Sequence, residues 1–173
     1  QNTGLRSSRS VHTVVGLTHR LSDDTRVTLE GYRKELDDGF VHDLATGLTT
    51  NDGSGLARGI ELCVQKKMGD RLTGSLAYAY SETRLRDHED LAAYYSEFDR
   101  PHNLTVVGSY SISDDWRLGA KFHYASGSPY TPVTDAVQRD DDWYLIRGEK
   151  HSGRYPDCHM LDVRVDRTFH MGG

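Results

Sequence analysis

The sequence predicts an all-β protein, an antiparallel meander of about seven long strands, and three observations support this prediction. Apolar and polar residues alternate through most segments, the alternating segments are long, and the connections between them are short and long in turn. Successive side chains of a β-strand point to opposite faces, so the alternation gives each strand one apolar and one polar face. No long stretch repeats apolar residues at helical spacing.

Seven segments carry the alternation. In chain order they are Ser10–Leu21, Thr25–Glu35, Leu56–Lys67, Arg71–Thr83, His102–Ile112, Trp116–Ala125 and Cys158–His170. Each has about 10 to 13 residues, whereas strands of soluble sheets usually have about five or six. This length is typical of tilted strands that cross a hydrocarbon core of about 30 Å.

The connections alternate in length along the chain. The short ones are Ser22–Asp24, Met68–Asp70 and Ser113–Asp115, and the long ones are Leu36–Gly55, Arg84–Pro101 and Ser126–Asp157. Short turns at one end and long loops at the other are typical of outer-membrane barrels, with the turns in the periplasm and the loops outside. The sequence therefore predicts part of a transmembrane β-barrel in the bacterial outer membrane, with lipid against its apolar face.

Aromatic residues on the apolar face divide into two bands. Tyr110, Trp116 and Phe169 fall at the turn end, and Tyr78, Tyr80, Phe122 and Tyr124 fall nearer the loops. Aromatic girdles at both borders of an aliphatic band are typical of barrels in a bilayer. Cations on this face are His19, Lys66 and Arg167 near the turns and Arg58 near the loops. At these borders a charge costs little, whereas at the midplane it costs about 2–4 kcal/mol.

Composition excludes several classes of protein. A chain of 173 residues fits one domain, and its net charge of −5 gives no basic surface for nucleic acid. No run of 18 apolar residues is present, so no transmembrane helix is predicted. Cys63 and Cys158 lie on distant segments without metal-ligand spacing, which favours two unpaired residues.

Four motifs resemble those of a known family. They are Gly53–Leu62 (GSGLARGIEL), Phe98–Leu104 (FDRPHNL), Ala125–Pro132 (ASGSPYTP) and Tyr155–Arg164 (YPDCHMLDVR). In this order and spacing they are similar to motifs in the barrels of TonB-dependent outer-membrane receptors, and the resemblance covers about Gly53 to Phe169. Cys158 departs from the pattern, which usually has an aromatic residue there.

The resemblance implies a receptor that takes up a scarce solute, of the ferric siderophore, cobalamin or oligosaccharide class, with energy from TonB. Such receptors have about 22 barrel strands and an N-terminal plug domain that engages the TonB complex. Residues 1–173 then correspond to a part of the barrel's C-terminal third, without the plug. The expected partners are outer-membrane lipid, the TonB complex through that plug, and a small-molecule or oligosaccharide ligand, with no cofactor.

Candidate ligand contacts lie in the long loops, and nothing in the sequence indicates an enzyme. The candidates are Tyr94, Tyr95, Arg139, Asp140, Asp141, Asp142, Trp143 and Tyr144. Acidic side chains beside aromatic ones suit a cationic or ring-bearing ligand, although a charged, solvated loop is the simpler interpretation. The acidic segment 87–90 is likewise better explained as a solvated loop than as a metal site.

Two other classes of protein share the alternation. A passive porin or structural barrel needs no plug. A soluble all-β binding module would pack its apolar face on a second sheet, and its aromatic residues would then lie in a core rather than in two bands.

Overall fold

Twelve strands occur within residues 4–43, 46–67 and 71–170, the part of the chain that the computed structural model describes. They are β1 (Arg9–Arg20), β2 (Thr25–His42), β3 (Thr49–Lys66), β4 (Leu72–Arg86), β5 (Tyr94–Tyr95), β6 (His102–Ser111), β7 (Trp116–Ala125), β8 (Pro129–Tyr130), β9 (Val133–Arg139), β10 (Asp142–Arg147), β11 (Gly153–Arg154) and β12 (Cys158–Arg167). The seven long strands form one antiparallel sheet in the order β1-β2-β3-β4-β6-β7-β12. This is the predicted meander.

The short strands belong to the loop end of the sheet. β5 pairs with the end of β4, while β8–β11 and β9–β10 form two-stranded ribbons inside the connection from β7 to β12. Among the described residues, no helix has the length and apolar character needed to cross a membrane.

The register carries the apolar alternation from strand to strand. One row of paired residues crosses six strands, and it consists of Leu17, Leu29, Leu62, Tyr78, Leu104 and Tyr124. The next position on each strand faces the other way, as in the paired Lys121 and Asp162 of β7 and β12. A one-residue slip would exchange the two faces, so the pairing fixes one continuous apolar face and one polar face.

The predicted long loop Leu36–Gly55 is wrong. β2 continues to His42 and β3 begins at Thr49, so a six-residue connection remains. Two register irregularities flank Gly39, which pairs with Gly53 so closely that a Cβ on Gly39 would lie 3.0 Å from the carbonyl oxygen of Gly53. Alternation marks a strand only where its two faces differ, and residues 37–42 show none, because the apolar Phe40 and Val41 are adjacent and point to opposite faces.

The other strand ends lie close to their predicted positions. β7 has the predicted bounds, whereas β12 ends at Arg167 instead of His170. The predicted turn at Met68–Asp70 lies outside the described residues. Cys63 and Cys158 lie on β3 and β12, and both are free thiols.

The sheet has almost no apolar core. Among the hydrophobic side chains of the described residues, Ala125 is the one that is buried, whereas Val15 and Leu161 are 74% and 65% exposed. The accessible surface is 13102 Å², and a compact monomer of this mass exposes about 8,500 Å². In the described structure, no second sheet covers the apolar face, as a soluble two-sheet module would require.

Candidate functional site

The apolar face is the first functional surface. The ten residues of β7 rise about 33 Å along the strand, or about 25 Å at a tilt of about 40°. Outer-membrane barrels carry an apolar band about 25 Å tall. The face therefore has the height that contact with lipid requires.

The apolar band crosses the rows of paired residues obliquely. On β1 it covers Val11 to Leu17, and on β12 it covers Leu161 to Val165. The row that contains Leu17 reaches β12 at His159, just before Leu161. The band thus shifts along the strands from one edge of the sheet to the other, as it must when strands tilt around a barrel.

The second functional surface is at the loop end, where segments 87–101 and 126–157 meet in what we term the loop junction. Its centre is the fully buried Asp99, whose carboxylate pairs with Arg154 and accepts a hydrogen bond of 2.6 Å from the Thr83 N–H. Arg154 also donates to the carbonyl oxygens of Asp99 and Gly127, at 3.1 Å each. A buried charge must be paired and hydrogen-bonded, and Asp99 meets both conditions.

The ring of Tyr95 contacts two guanidinium groups, one from β4 and one from the loop junction. Arg84 and Arg154 approach its ring, with distances of 4.7 and 4.9 Å to the ring centroid. Its carbonyl oxygen is 2.5 Å from Nδ1 of His151. Cation–π contacts hold the ring in place, so Tyr95 joins β4 to the far loop.

Tyr94 belongs to a second ion-pair cluster. Its hydroxyl donates to Asp87 at 2.5 Å, and Lys150 donates to the other Asp87 oxygen at 2.8 Å while lying 3.8 Å from the Tyr94 ring centroid. Burial opposes ionisation of Asp87, but the hydrogen bonds from Lys150 and Tyr94 outweigh it and hold the pKa of Asp87 below its ordinary value. Burial and then Asp87 raise the pKa of Tyr94.

Three of the sequence motifs anchor the strands beneath this cluster. The N–H of His102 donates to Ser126 Oγ at 3.1 Å, which joins the second motif to the third. Asp157 of the fourth motif accepts from the Tyr124 hydroxyl at 2.7 Å and from the Gly127 N–H at 3.1 Å. These two bonds, that from Tyr124 first, hold the pKa of Asp157 below its ordinary value. The motifs therefore mark the contacts that bring the two loops together.

A cavity of about 740 Å³ opens beside the loop junction. It is lined by Glu97, Phe98, Arg100, Ser128, Pro129, Tyr130, Thr131, Arg147, His151 and Tyr155. The Tyr130 and Tyr155 rings pack together with their centroids 4.7 Å apart, and Phe98 is 80% exposed. Its volume lies within the range of small-molecule sites, while its lining combines three aromatic rings with several charged and polar side chains.

The predicted ligand contacts lie in two separate places. Tyr94 and Tyr95 are half-buried within the loop junction. Residues Arg139–Tyr144 form the tip of the β9–β10 hairpin, where Arg139 pairs with Asp142 around a two-residue turn. Asp140 has a φ of 55° there, a conformation that Asp tolerates better than most residues. Trp143 and Tyr144 are exposed, and these two strands pair with each other alone.

The residues that line the cavity were not predicted as site residues. Phe98, Arg100, Tyr130 and Tyr155 all belong to the family-like motifs, which were interpreted as markers of strand ends. The available signal was the aromatic and cationic side chains in those motifs, each next to a long loop. The sequence alone does not show that β8 pairs with β11, and this pairing brings Tyr130 and Tyr155 together.

Together these surfaces describe part of an antiparallel β-barrel wall. The wall has one apolar face, and its long loops contact each other at one end. A scan against protein-family models and a search of curated proteins found no match. Among solved structures, the chain is similar to the FrpB iron transporter from Neisseria meningitidis (F3-3 variant), with a TM-score of 0.66 and 17% identity. The match covers 95% of this chain and 25% of that chain.

At 17% identity the similarity shows the fold, and the chain spans about a quarter of that transporter's length. The predicted fold class, an all-β antiparallel meander of the outer-membrane barrel type, is confirmed. The matched protein is a transporter and not an enzyme.

Proposed function

We propose that this chain forms part of the barrel wall of an outer-membrane transport receptor. The observation that carries the proposal is the uncovered apolar face, which stays in register across seven strands. Burial of apolar surface contributes about 25 cal/mol per Å², so a face of this size requires an apolar medium. A bilayer supplies that medium to a tilted sheet of this height.

The more specific proposal is uptake of a scarce solute, of the ferric siderophore, cobalamin or oligosaccharide class, with energy from TonB through a plug domain. Two features support a receptor: the loop junction holds a cavity of about 740 Å³, and the similar solved structure is an iron transporter. We assign ligand contact to the cavity and to the exposed hairpin tip Arg139–Tyr144.

The experiment that tests this proposal maps the membrane topology of the full-length protein in cells. One epitope is inserted between Asp140 and Asp141 of the hairpin, and a matched one is inserted at Asp114 in the β6–β7 turn. We expect an outer-membrane protein whose hairpin epitope is labelled on intact cells and whose turn epitope is labelled after permeabilisation alone. Recovery as a soluble monomer without detergent, or labelling of the turn on intact cells, contradicts the proposal.

The same strains separate an energised receptor from a passive barrel. Solute uptake that disappears when TonB is deleted supports the receptor. Uptake that continues unchanged without TonB supports a porin, and the specific proposal is then wrong while the membrane location stands.

A further inference from the structure

Four arginines border the apolar face at the loop end. Arg33 on β2, Arg58 on β3, and Arg84 and Arg86 on β4 lie on three neighbouring strands, and we term them the arginine cluster. Each has the same side-chain direction as the apolar residues below it, because pairing places Arg58 two residues from Ile60 and opposite Glu82. The cluster therefore adjoins the apolar face and does not belong to the polar one.

Like charges stand directly opposite each other in this cluster. Arg33 and Arg58 are cross-strand partners, an arrangement that destabilises a sheet unless an anion lies between the charges. Arg33 forms an ion pair with Glu35 on its own strand, and Arg58 forms one with Glu82 at an N–O distance of 2.9 Å. Glu35 and Glu82 thus pair with three of the four arginines, and Asp37 lines the same cavity as Arg33, Arg84 and Arg86. With these three carboxylates counted, the cluster of four arginines still keeps a net positive charge.

The guanidinium groups of Arg33 and Arg58 remain open to the medium on this face, whereas that of Arg84 contacts Glu82 and Tyr95. The side chains of Arg33 and Arg58 are each 60% exposed, and that of Arg84 is 46% exposed. Arg58 contacts Glu82 through Nη2, and a guanidinium has five N–H donors. Donors are therefore available for a further anion.

The cations on the same face at the turn end are arranged differently. Lys66 pairs with Asp24 at 2.5 Å, and Arg167 lies over the rings of Trp116 and Phe169. The cross-strand partners of Lys66 are Thr25 and Gly74, and that of Arg167 is Trp116. No cation opposes either of them in the described ladder, and the like-charge pair Arg20–Arg26 at the turn end lies on the polar face. Directly opposed arginines on the apolar-face side therefore occur, within the described pairing, at the loop end.

We infer that the arginine cluster binds the phosphate of a phosphorylated lipid headgroup in the outer leaflet, an inference that rests on the proposed membrane function. Guanidinium groups bind phosphate in a bidentate way, and a phosphate between Arg33 and Arg58 would offset their repulsion. Because the cluster continues directly into Ile60 and Tyr80 of the apolar face, the acyl chains of the same molecule can lie on that face. A free phosphate has no acyl chains and would not contact the apolar face.

The test measures phosphorylated lipid retained by the full-length protein after purification from outer membranes. The double variant Arg33→Gln, Arg58→Gln is compared with a control of equal charge change on the polar face, Arg117→Gln, Arg164→Gln. Bound phosphorylated lipid is counted by native mass spectrometry, and affinity is titrated with vesicles that contain or lack a phosphorylated lipid. We expect the affinity of the cluster variant to fall by about tenfold or more, since hydrogen bonds to charged groups are strong, and that of the control to stay unchanged.

Equal retention by the wild type and the cluster variant overturns the inference, as does equal loss in the control. Inorganic phosphate that displaces the lipid at millimolar concentration also overturns it, because the site then recognises the free anion. If the double variant does not insert, Arg58→Lys is tested instead, because it keeps the positive charge but removes the planar guanidinium that binds phosphate through two N–H groups. A weakened affinity for phosphorylated lipid supports the inference, and an unchanged affinity contradicts it. Failure of the wild type to reach the outer membrane contradicts the proposed function itself.

Discussion

The two ends of the sheet are held together in different ways. At the turn end, each chain reversal is closed by bonds between near neighbours in the sequence, as when the Leu21 N–H donates to the Thr25 carbonyl oxygen at 2.9 Å or the Trp116 N–H donates to Ser113 Oγ at 3.2 Å. The longer-range Lys66–Asp24 ion pair there lies beside residues that the sheet already pairs, Thr25 and Lys66. At the loop end, the ion pairs Asp99–Arg154 and Asp87–Lys150 join residues 55 and 63 positions apart.

This difference shows what each end requires. A turn only has to reverse the chain, and a few polar residues in a short segment do that. A cavity between two long loops must keep its walls at a fixed separation, which needs contacts that cross from one loop to the other. Removing those contacts should affect the loop end and leave the turn end unchanged.

The largest effect is expected from Arg154→Met in the full-length protein. The change leaves the carboxylate of Asp99 buried without its cation, and the loss of one partner from a buried pair costs about 3–5 kcal/mol. Because the Arg154 side chain is 32% exposed, we expect the loop junction to lose about 3 kcal/mol of stability, at the lower end of this range. The loss is measured as faster proteolysis of segments 87–101 and 126–157. The β6–β7 turn should keep its protection.

A double variant, Asp99→Asn with Arg154→Met, separates the charge from the packing. It leaves no unpaired charge, so its loops should be cleaved more slowly than those of Arg154→Met alone. Equal cleavage rates would mean that the packing of Arg154, and not the ion pair, holds the loops.

A smaller effect is expected from Gly127→Ala. A Cβ at this position would overlap the carbonyl oxygen of Tyr155, so the two ends of segment 126–157 must move apart, and such overpacking costs about 1–3 kcal/mol. The measurement is the free energy of unfolding of the loop end by protease susceptibility in denaturant. Gly108→Ala is the matched control, because a Cβ there has nothing within 4 Å, and it should leave the protein unchanged.

The smallest effect is expected for the pH dependence of loop stability that the Asp87–Lys150 ion pair causes. The lowered pKa of Asp87 means that its contribution is complete above its ordinary value of 3.8 and is lost as the pH falls through the folded value. The raised pKa of Lys150 means that its contribution is complete below 10.5 and is lost as the pH rises through the higher folded value. We expect loop protection to be constant between these limits and to decrease by about 0.5–1 kcal/mol in acid, since both groups are partly exposed.

Lys150→Met tests the assignment of this pH dependence. Without the cation, the loss of loop protection below the ordinary Asp pKa of 3.8 should shrink, measured by proteolysis of segment 87–101 against pH. An acid loss of the same size in the variant would assign it to another carboxylate, such as Asp157.

Much of the fold could be predicted because a sheet with one apolar and one polar face has a strict period of two along its strands. Trp116–Ala125 was predicted to the residue, since both of its faces carry the pattern throughout. The extension of β2 to His42 was not predicted because its residues 37–42 do not alternate between apolar and polar.

The site could be predicted only in part. The sequence indicates that the long loops carry function, but the partners Asp99 and Arg154 are brought together by long-range pairing that no local pattern encodes. Tyr94 and Tyr95 illustrate the limit: aromatic residues in a loop suggested ligand contact, and the structure places them among the groups that hold the loops together. Whether they also meet a ligand remains a prediction, as it does for Arg139–Tyr144.

The scarcity of buried apolar side chains also determines how this sheet should unfold. The heat capacity change and the denaturant dependence of unfolding both scale with the surface that unfolding newly exposes, and Ala125 is the one buried hydrophobic residue of the described chain. In the proposed membrane location, the apolar face is covered by lipid or detergent, so thermodynamic parameters measured for the protein there will include those of the amphiphile. The stability measured there belongs to the protein and its amphiphile together. A change of acyl chain length should therefore alter it, as a core mutation alters the stability of a water-soluble domain.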